Sequence, residues 1–235
     1  MTMTNVADLV IANPATARVF ERYGIDYCCR GQRPLADACA EAGVSEEAVR
    51  ADVESLRSSP ADQPAPGDVG GLIGHIVSNH HTYLRRELPR LIELAAKVIA
   101  AHGEAHPQVH TVGATVAELT ADLLPHLAKE EKVLFPLAIE LLGAIEPTSF
   151  RCGSVTNPIS VMLTEHDRAG DLLAALRRQT DGYRPPADAC PTWRALYAGL
   201  AELEADTHSH IHLENNLLFP KIADIETALG ATVIE

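Results

Sequence analysis

The residues best suited to chemistry in this chain are histidines and glutamates that occur twice at the same spacing. His126 precedes Glu130 by four residues, and His210 precedes Glu214 by four; both pairs are followed by Leu-Phe-Pro at the same offset. Residues four apart lie on one face of a helix. Each pair can therefore direct an imidazole and a carboxylate to one point, as a transition-metal site requires.

The repeat continues upstream, because each pair has a further histidine at a matching distance before it. His81 lies 45 residues before His126, and His166 lies 44 residues before His210. The repeated unit is thus a helix with one histidine, a connection, and a helix with a His-x-x-x-Glu pair. Two units supply four imidazoles and two carboxylates, which suits two ions bridged by the two glutamates.

All six candidate ligands also fall on the apolar stripe by which a helix faces the core of a bundle. The same stripes hold Val77 and Leu84 in the first helix, Val133 and Leu137 in the second, Met162 and Ala169 in the third, and Leu203 and Leu217 in the fourth. A lone histidine in a core is more often hydrogen-bonded than bound to metal. Six polar groups in register on four stripes favour metal, because coordination offsets the cost of burying them.

The remaining histidines do not fit this pattern. The stripe of the first helix leaves His80 on a solvated face, and the same test excludes His208 and His212 in the fourth helix. Gly103 and Pro107 predict a loop that contains three further histidines, namely His102, His106 and His110. We therefore expect none of these side chains at the metal site.

Composition excludes several classes of function. The chain has 235 residues, of which 46% are hydrophobic, as expected for one large domain and a small one. The formal net charge of −13 argues against nonspecific binding of nucleic acid or of anionic membranes. No apolar run is long enough to span a bilayer. The first residues lack a signal-peptide pattern, and the five cysteines are scattered, so we expect a cytoplasmic protein.

The chain divides into three regions, and helical patterns dominate, so we predict an all-α fold. Residues 1–58 predict a small helical domain, in which Asn13-Pro14 starts one helix and Gly24 ends it. Residues 59–68 contain three prolines and predict a semi-rigid linker that leaves the domains without a fixed interface. Residues 69–226 predict a four-helix bundle.

Two prolines fall inside the predicted bundle helices. Pro89 and Pro125 each remove a backbone hydrogen bond, and we expect a kink at both positions. Pro125 directly precedes His126, so a break there would move a candidate ligand.

The signature Asp26-Tyr-Cys28-Cys29-Arg-Gly31, together with the paired His-x-x-x-Glu helices, resembles the repair of iron centres family. Members are hemerythrin-like di-iron proteins with a small Cys-Cys domain before the bundle, and the resemblance covers nearly the whole chain. It implies two iron ions joined by an oxo or hydroxo bridge. By position it implies the ligand set His81, His126, Glu130, His166, His210 and Glu214.

The resemblance implies repair of iron–sulfur clusters damaged by oxidative or nitrosative stress, with the damaged proteins as transient partners. Three functions stay open: supply of labile iron, reduction of nitric oxide at the di-iron site, and sensing or carriage of dioxygen or nitric oxide. The Cys-Cys domain and the presence of only four stripe histidines favour the first over a dioxygen carrier. Monomer and homodimer both stay open.

Two further sets of residues have an open role. Glu165 lies about 100° around the helix from His166. It is either a solvated acid or part of the site's edge. The resemblance implies that Glu165 lies near the route by which ligands reach the metal. Cys28 and Cys29 suit redox exchange, metal handling or contact with a partner; the plain alternative is two partly buried thiols in a turn.

Overall fold

The computed structural model describes residues 5–56, 66–144 and 153–231. Within these ranges the chain forms eight helices and no strand, which confirms the predicted all-α fold. Every helix there is too short or too polar to cross a lipid bilayer. Four long helices make the bundle, and four short ones precede it.

The short helices begin and end at residues with recognisable caps. The side chain of Asn5 accepts a hydrogen bond from the amide of Asp8, and Ser45 caps a later helix in the same way. Gly24 and Gly43 end two helices in the left-handed conformation, with φ of +67° and +68°. The four helices are α1 (Val6–Ala12), α2 (Thr16–Tyr23), α3 (Leu35–Ala42) and α4 (Glu46–Ser55).

Three of the four long helices contain a π-helical segment, in which backbone hydrogen bonds span five residues. The first, α5, consists of Val69–His75, π-helical Ile76–His81, and Thr82–His102; α6 consists of Gln108–Lys129, π-helical Glu130–Leu134, and Phe135–Leu142. The third, α7, is Thr156–Gln179; α8 consists of Pro191–Leu213, π-helical Glu214–Leu218, and Phe219–Ala231. Each π segment starts or ends at a candidate ligand, as such segments often do at functional sites.

The π segments shift the buried face of the helix by one residue, which corrects the predicted stripes. Val133 was predicted to be buried but is 49% exposed, whereas its neighbour Leu134 is buried. In α8, Leu218 is buried and Leu217 is only partly buried. A turn with one extra residue rotates every later side chain around the helix axis. The predicted stripes assumed 3.6 residues per turn throughout and therefore did not include this rotation.

Neither proline interrupts its helix, so the possible break before His126 does not occur. Thr82–His102 continues through Pro89, and Gln108–Lys129 continues through Pro125. His126 therefore stays in regular helix, and the irregular backbone begins only at Glu130. The predicted histidine loop is also shorter than expected, because α5 extends to His102 and His110 lies in α6.

The bundle core has an apolar cluster on each side of a polar layer. One cluster includes Leu84, Leu127 and Leu173, and the other includes Ile76, Leu134 and Met162. Along each helix the candidate ligands lie between residues of the two clusters. The ligands are therefore enclosed by apolar packing above and below.

The N-terminal helices pack on the bundle, although the sequence predicted no fixed interface. Their apolar residues, such as Phe20, belong to the same buried cluster as those of the bundle. Gln32 donates to the Asn216 side chain at 3.0 Å, and Asn216 donates to the Cys28 carbonyl at 3.0 Å. Most of the predicted linker, residues 59–68, lies outside the described residues; Asp68 caps α5.

Candidate metal centre

The four long helices bring all six candidate ligands together in the polar layer. The ligand atoms form two groups, each with all its atoms within 4.8 Å of one another. Position 1 is the group with the imidazoles of His81 and His210, and position 2 is the group with those of His126 and His166; Glu130 and Glu214 belong to both. Each position thus has two nitrogen and two oxygen donors.

Each glutamate divides its two oxygens between the two positions. Glu130 places Oε2 3.3 Å from His81 Nε2 and Oε1 3.2 Å from His126 Nε2. Glu214 places Oε1 3.2 Å from His210 Nε2 and Oε2 3.1 Å from His166 Nε2. Each carboxylate therefore lies between the two pairs of imidazoles.

The carboxylate oxygens support a cation at this site. Glu130 and Glu214 are completely buried, and none of their four oxygens has a hydrogen-bond partner among the described residues. Buried carboxylates without donors are costly unless a cation compensates them. The paired imidazoles also turn Nε2 towards each other, at 3.3 Å in position 1 and 3.1 Å in position 2. Two nitrogens about 2.1 Å from one ion would lie at such a separation.

Burial and the charges within the site shift the pKa of several candidate ligands. Burial opposes the charged form of Glu214, but the nearby imidazoles of His210 and His166 outweigh it and hold its pKa well below the usual range. Burial also opposes charge on His126, yet the nearby carboxylate of Glu130, with Oε1 3.2 Å from Nε2, raises its pKa to about 9. At His210 burial dominates and lowers the pKa. Glu130 also raises the pKa of His81 against burial, so each position contains one imidazole whose pKa is raised.

Three of the four imidazoles are oriented by a hydrogen bond from Nδ1, which leaves Nε2 for the ion. His81 donates to Glu131 at 2.7 Å, and His126 donates to Glu165 at 2.9 Å. His166 donates to the Asn215 side-chain oxygen at 2.7 Å. These acceptors lie on helices that face the histidine they orient.

The fourth imidazole differs from the others. His210 Nδ1 is buried without a hydrogen-bond partner among the described residues. Its ring lies parallel to that of His80, with the centroids 5.7 Å apart and the planes at 9°. His80 is only 7% exposed and donates to Asp206 at 2.9 Å, so the predicted solvated face was wrong. His80 of α5 therefore packs against α8 and does not point into solvent.

The Leu-Phe-Pro endings of the two repeats also contact the site. Phe135 stacks on His81 at 5.8 Å, and Phe219 stacks on His166 at 5.9 Å. Both phenylalanine amides bond five residues back, to the carbonyls of Glu130 and Glu214, and so close the π turns. In each repeat the motif thus places a phenylalanine ring against a candidate histidine, next to a glutamate that both positions share.

Glu165 lies at the edge of the site and not in open solvent. Besides accepting from His126, it pairs with Lys129. Burial opposes its charge, but Lys129 and His126 outweigh this and lower its pKa. These residues line a small cavity of about 180 Å³ next to Pro125 and Arg168. A small ligand in this cavity would lie beside position 2.

The Cys28-Cys29 loop lies against the end of the repeat in α8. Asn215 donates to the Cys28 carbonyl at 3.3 Å while its oxygen accepts from His166. His212, which the stripe had excluded, is buried and donates to the Tyr27 carbonyl at 3.2 Å. Both thiols are free, and the hydrogen bond with Cys29 and burial raise the pKa of Cys28 well above its usual range. The loop is therefore connected to a candidate ligand through one side chain.

Sequence reasoning missed Glu131, Asn215, His80 and His212. One signal was available for Asn215, because it follows Glu214 as Glu131 follows Glu130. Both residues accept from the first histidine of their own repeat. The contacts of His80 and His212 depend on how neighbouring helices are rotated, and no sequence pattern indicates this.

Comparison with known proteins identifies the family of each part of the chain. Residues 72–222 match the hemerythrin HHE cation binding domain, and residues 2–57 match a domain family of unknown function, DUF542. The iron-sulfur cluster repair protein YtfE of Enterobacter sp. (strain 638) is 36% identical, over 92% of this chain and 94% of its own length.

The YtfE protein of Musicola paradisiaca (strain Ech703) is 36% identical over 92% of this chain and 95% of its own length. That of Escherichia coli O157:H7 is 34% identical over 92% of this chain and 94% of its own. Matches of this extent confirm the resemblance that the motifs implied: the chain belongs to the YtfE family of iron-sulfur cluster repair proteins.

Proposed function

We propose that this chain holds two iron ions, one in each position, and supplies iron to iron–sulfur clusters damaged by oxidative or nitrosative stress. The observation that supports this proposal most strongly is that Glu130 and Glu214 each place one carboxylate oxygen next to each pair of imidazoles. In this proposal the two glutamates and an oxo or hydroxo group join the ions. Bound iron would supply a reducible centre with room for a small ligand.

The donor set supports iron that can be released. Four imidazoles and two carboxylates without a thiolate suit iron, manganese or zinc. Two-metal sites in other helix bundles use more carboxylates. With fewer negative charges around it, a ferrous ion is held less firmly here. The relatives are named as iron-sulfur cluster repair proteins, and this favours iron among the three metals.

The protein residues have distinct parts in this function. Glu131, Glu165 and Asn215 orient imidazoles by accepting their Nδ1 protons. The apolar clusters on both sides of the centre exclude water from it. Damaged iron–sulfur proteins are the proposed transient partners, and the proposed location is the cytoplasm.

The test is transfer of labelled iron to a damaged client. The chain is loaded anaerobically with ⁵⁷Fe and mixed with a [4Fe–4S] hydro-lyase that nitric oxide has inactivated. We expect ⁵⁷Fe to appear in the client cluster as activity returns. The control is the double variant His81→Ala/His166→Ala, which has one imidazole fewer in each position. Recovery without ⁵⁷Fe in the cluster, or equal recovery with the double variant, would contradict iron supply.

A second candidate function is chemistry on nitric oxide, or sensing of nitric oxide or dioxygen, at the same centre. The small cavity beside His126 and Glu165 supports it, because a diatomic ligand fits there. Nitric oxide reduction requires nitrous oxide to form with an added electron donor while the iron stays bound. Binding without turnover would favour a sensor or carrier. Iron loss to the client without nitrous oxide favours supply.

A further inference from the structure

A second set of metal-binding groups lies outside the bundle centre, in the loop after α2. One carboxylate oxygen of Asp26 and the sulfurs of Cys28 and Cys29 all lie within 4.8 Å of one another. The Cys28 sulfur is 3.4 Å from Asp26 Oδ1 and 3.8 Å from the Cys29 sulfur. Two sulfurs and one carboxylate are donors that iron, cobalt and zinc accept.

The backbone holds these groups on one side of the loop. The amides of Cys28 and Cys29 both donate to Asp26 Oδ1 at 3.0 Å, so the chain turns tightly around this carboxylate. Gly31 closes the turn, because a Cβ there would lie 2.3 Å from the Tyr27 carbonyl oxygen. The convergence of the three side chains is therefore built into the backbone.

The loop borders a cavity of about 630 Å³ between the N-terminal helices and the bundle. Three arginines and six acidic residues line it, the latter being Glu21, Asp26, Glu41, Asp167, Asp171 and Glu204. The excess of carboxylates attracts cations into the cavity. Cys29 is partly exposed and lies over Gly170 of α7, where a Cβ would be 3.9 Å from its sulfur.

We propose that Asp26, Cys28 and Cys29 form a third metal position, which binds a divalent transition-metal cation and, in the cell, ferrous iron. Binding joins the cation to both sulfurs and to the carboxylate, and the two thiol protons pass to solvent. No electron is transferred in this step. The cavity leaves a side of the cation open to a ligand from another protein.

This position gives the N-terminal region a part in iron supply. That part rests on the proposed function, whereas the binding of a metal by the loop is independent of it. Iron held here would border the cavity, whereas iron in the bundle would be enclosed by the two apolar clusters. Asn215 contacts both the Cys28 carbonyl and the candidate ligand His166, so the loop and position 2 share one side chain.

The test is an anaerobic titration of the full, reduced chain with Co²⁺. Cobalt bound to thiolate gives a near-ultraviolet charge-transfer band, whereas cobalt bound only to imidazole and carboxylate gives visible d–d bands. We expect the charge-transfer band to reach its limit at one cobalt per chain in excess of those in the bundle. Proton release measured in weak buffer should rise with the same band.

Three variants assign the band. It should disappear in Cys28→Ser/Cys29→Ser, and Asp26→Asn, which keeps the amide-accepting oxygen, should shift it to higher cobalt concentration. Cys190→Ser is the matched control and should keep the band, because this thiol lies at the start of α8, away from the loop. Thermal unfolding checks that each variant is folded.

The outcomes separate the two proposals. Absence of the charge-transfer band while the visible bands develop would overturn the third position and leave the bundle centre intact. A band that persists in Cys28→Ser/Cys29→Ser, or is lost in Cys190→Ser, would also overturn it. A charge-transfer band without visible bands would support the third position and count against the two-ion centre.

Discussion

Positions 1 and 2 have the same types of candidate ligand, but different residues surround these ligands. In position 2 both imidazoles are oriented: His126 by Glu165 and His166 by Asn215. In position 1 only His81 is oriented, by Glu131, and the Nδ1 of His210 has no partner among the described residues. Contacts of this kind raise metal affinity by about 10–100-fold.

The difference arises at two pairs of equivalent residues. Glu131 and Asn215 each follow a shared glutamate, and His80 and Glu165 each precede the first histidine of a repeat. The ligands repeat, whereas the residues that touch them do not. We therefore expect an ion in position 1 to leave before one in position 2. A centre with this difference would release one ion more readily than the other, which fits the proposed supply of iron.

The largest effect should come from a bridging glutamate, because each one serves both positions. We expect Glu214→Ala to lose nearly all iron from both positions, as measured by elemental analysis after anaerobic loading. Glu140→Ala, an exposed glutamate of α6, is the control and should keep its iron. Full retention of one ion in Glu214→Ala would show that the glutamate belongs to one position only.

Removal of one imidazole should affect one position. We expect His210→Ala and His166→Ala each to keep roughly half of the wild-type iron, since the other position retains both imidazoles. The remaining iron should leave His166→Ala more quickly during chelation, because that variant keeps only position 1. Equal release rates in the two variants would remove the difference between the positions.

A smaller effect should follow from Asn215→Ala, which leaves all six ligands in place. Loss of the acceptor for His166 Nδ1 should lower affinity at position 2 by about 10–100-fold. The two ions would then be released at similar rates. Asn216→Ala is the matched control, because Asn216 also binds the Cys28 carbonyl but touches none of the six candidate ligands. Similar losses in both variants would assign the effect to docking of the loop.

The smallest effect should come from His80→Ala. The ring of His80 packs parallel to His210, so its loss should weaken position 1 by no more than about tenfold and leave position 2 unchanged. His110→Ala, an exposed histidine of α6, should change neither. Release of the slower ion at an altered rate in His80→Ala would contradict this assignment.

The grouping of the six side chains could be predicted, because it depends only on the repeat and on helical periodicity. Residues four apart share a face, and the π segments of α6 and α8 begin at the glutamates themselves, so each His-x-x-x-Glu pair lies in regular helix up to its glutamate. Whether these six residues bind metal stays a prediction. Burial within and after the π segments could not be predicted. The extra residue in the turn buries Leu134 and exposes Val133, which the regular helical pattern had placed in the core.

Side-chain contacts between different helices and loops could not be predicted from the sequence. Asn215 is placed by two partners, Cys28 and His166, and these belong to different domains by sequence. The prolines of the linker predicted separate domains because they indicate a spacer. They carry no information on whether the surfaces that the spacer joins are complementary.

The most direct test of the central claim is anomalous X-ray diffraction at the iron edge, on crystals of the iron-loaded chain before and after brief anaerobic chelation. Two iron peaks should be present at first, one between His81 and His210 and one between His126 and His166. After chelation the first peak should be weak and the second nearly unchanged. A single peak before chelation, equal loss of both, or earlier loss of the second peak would contradict the account.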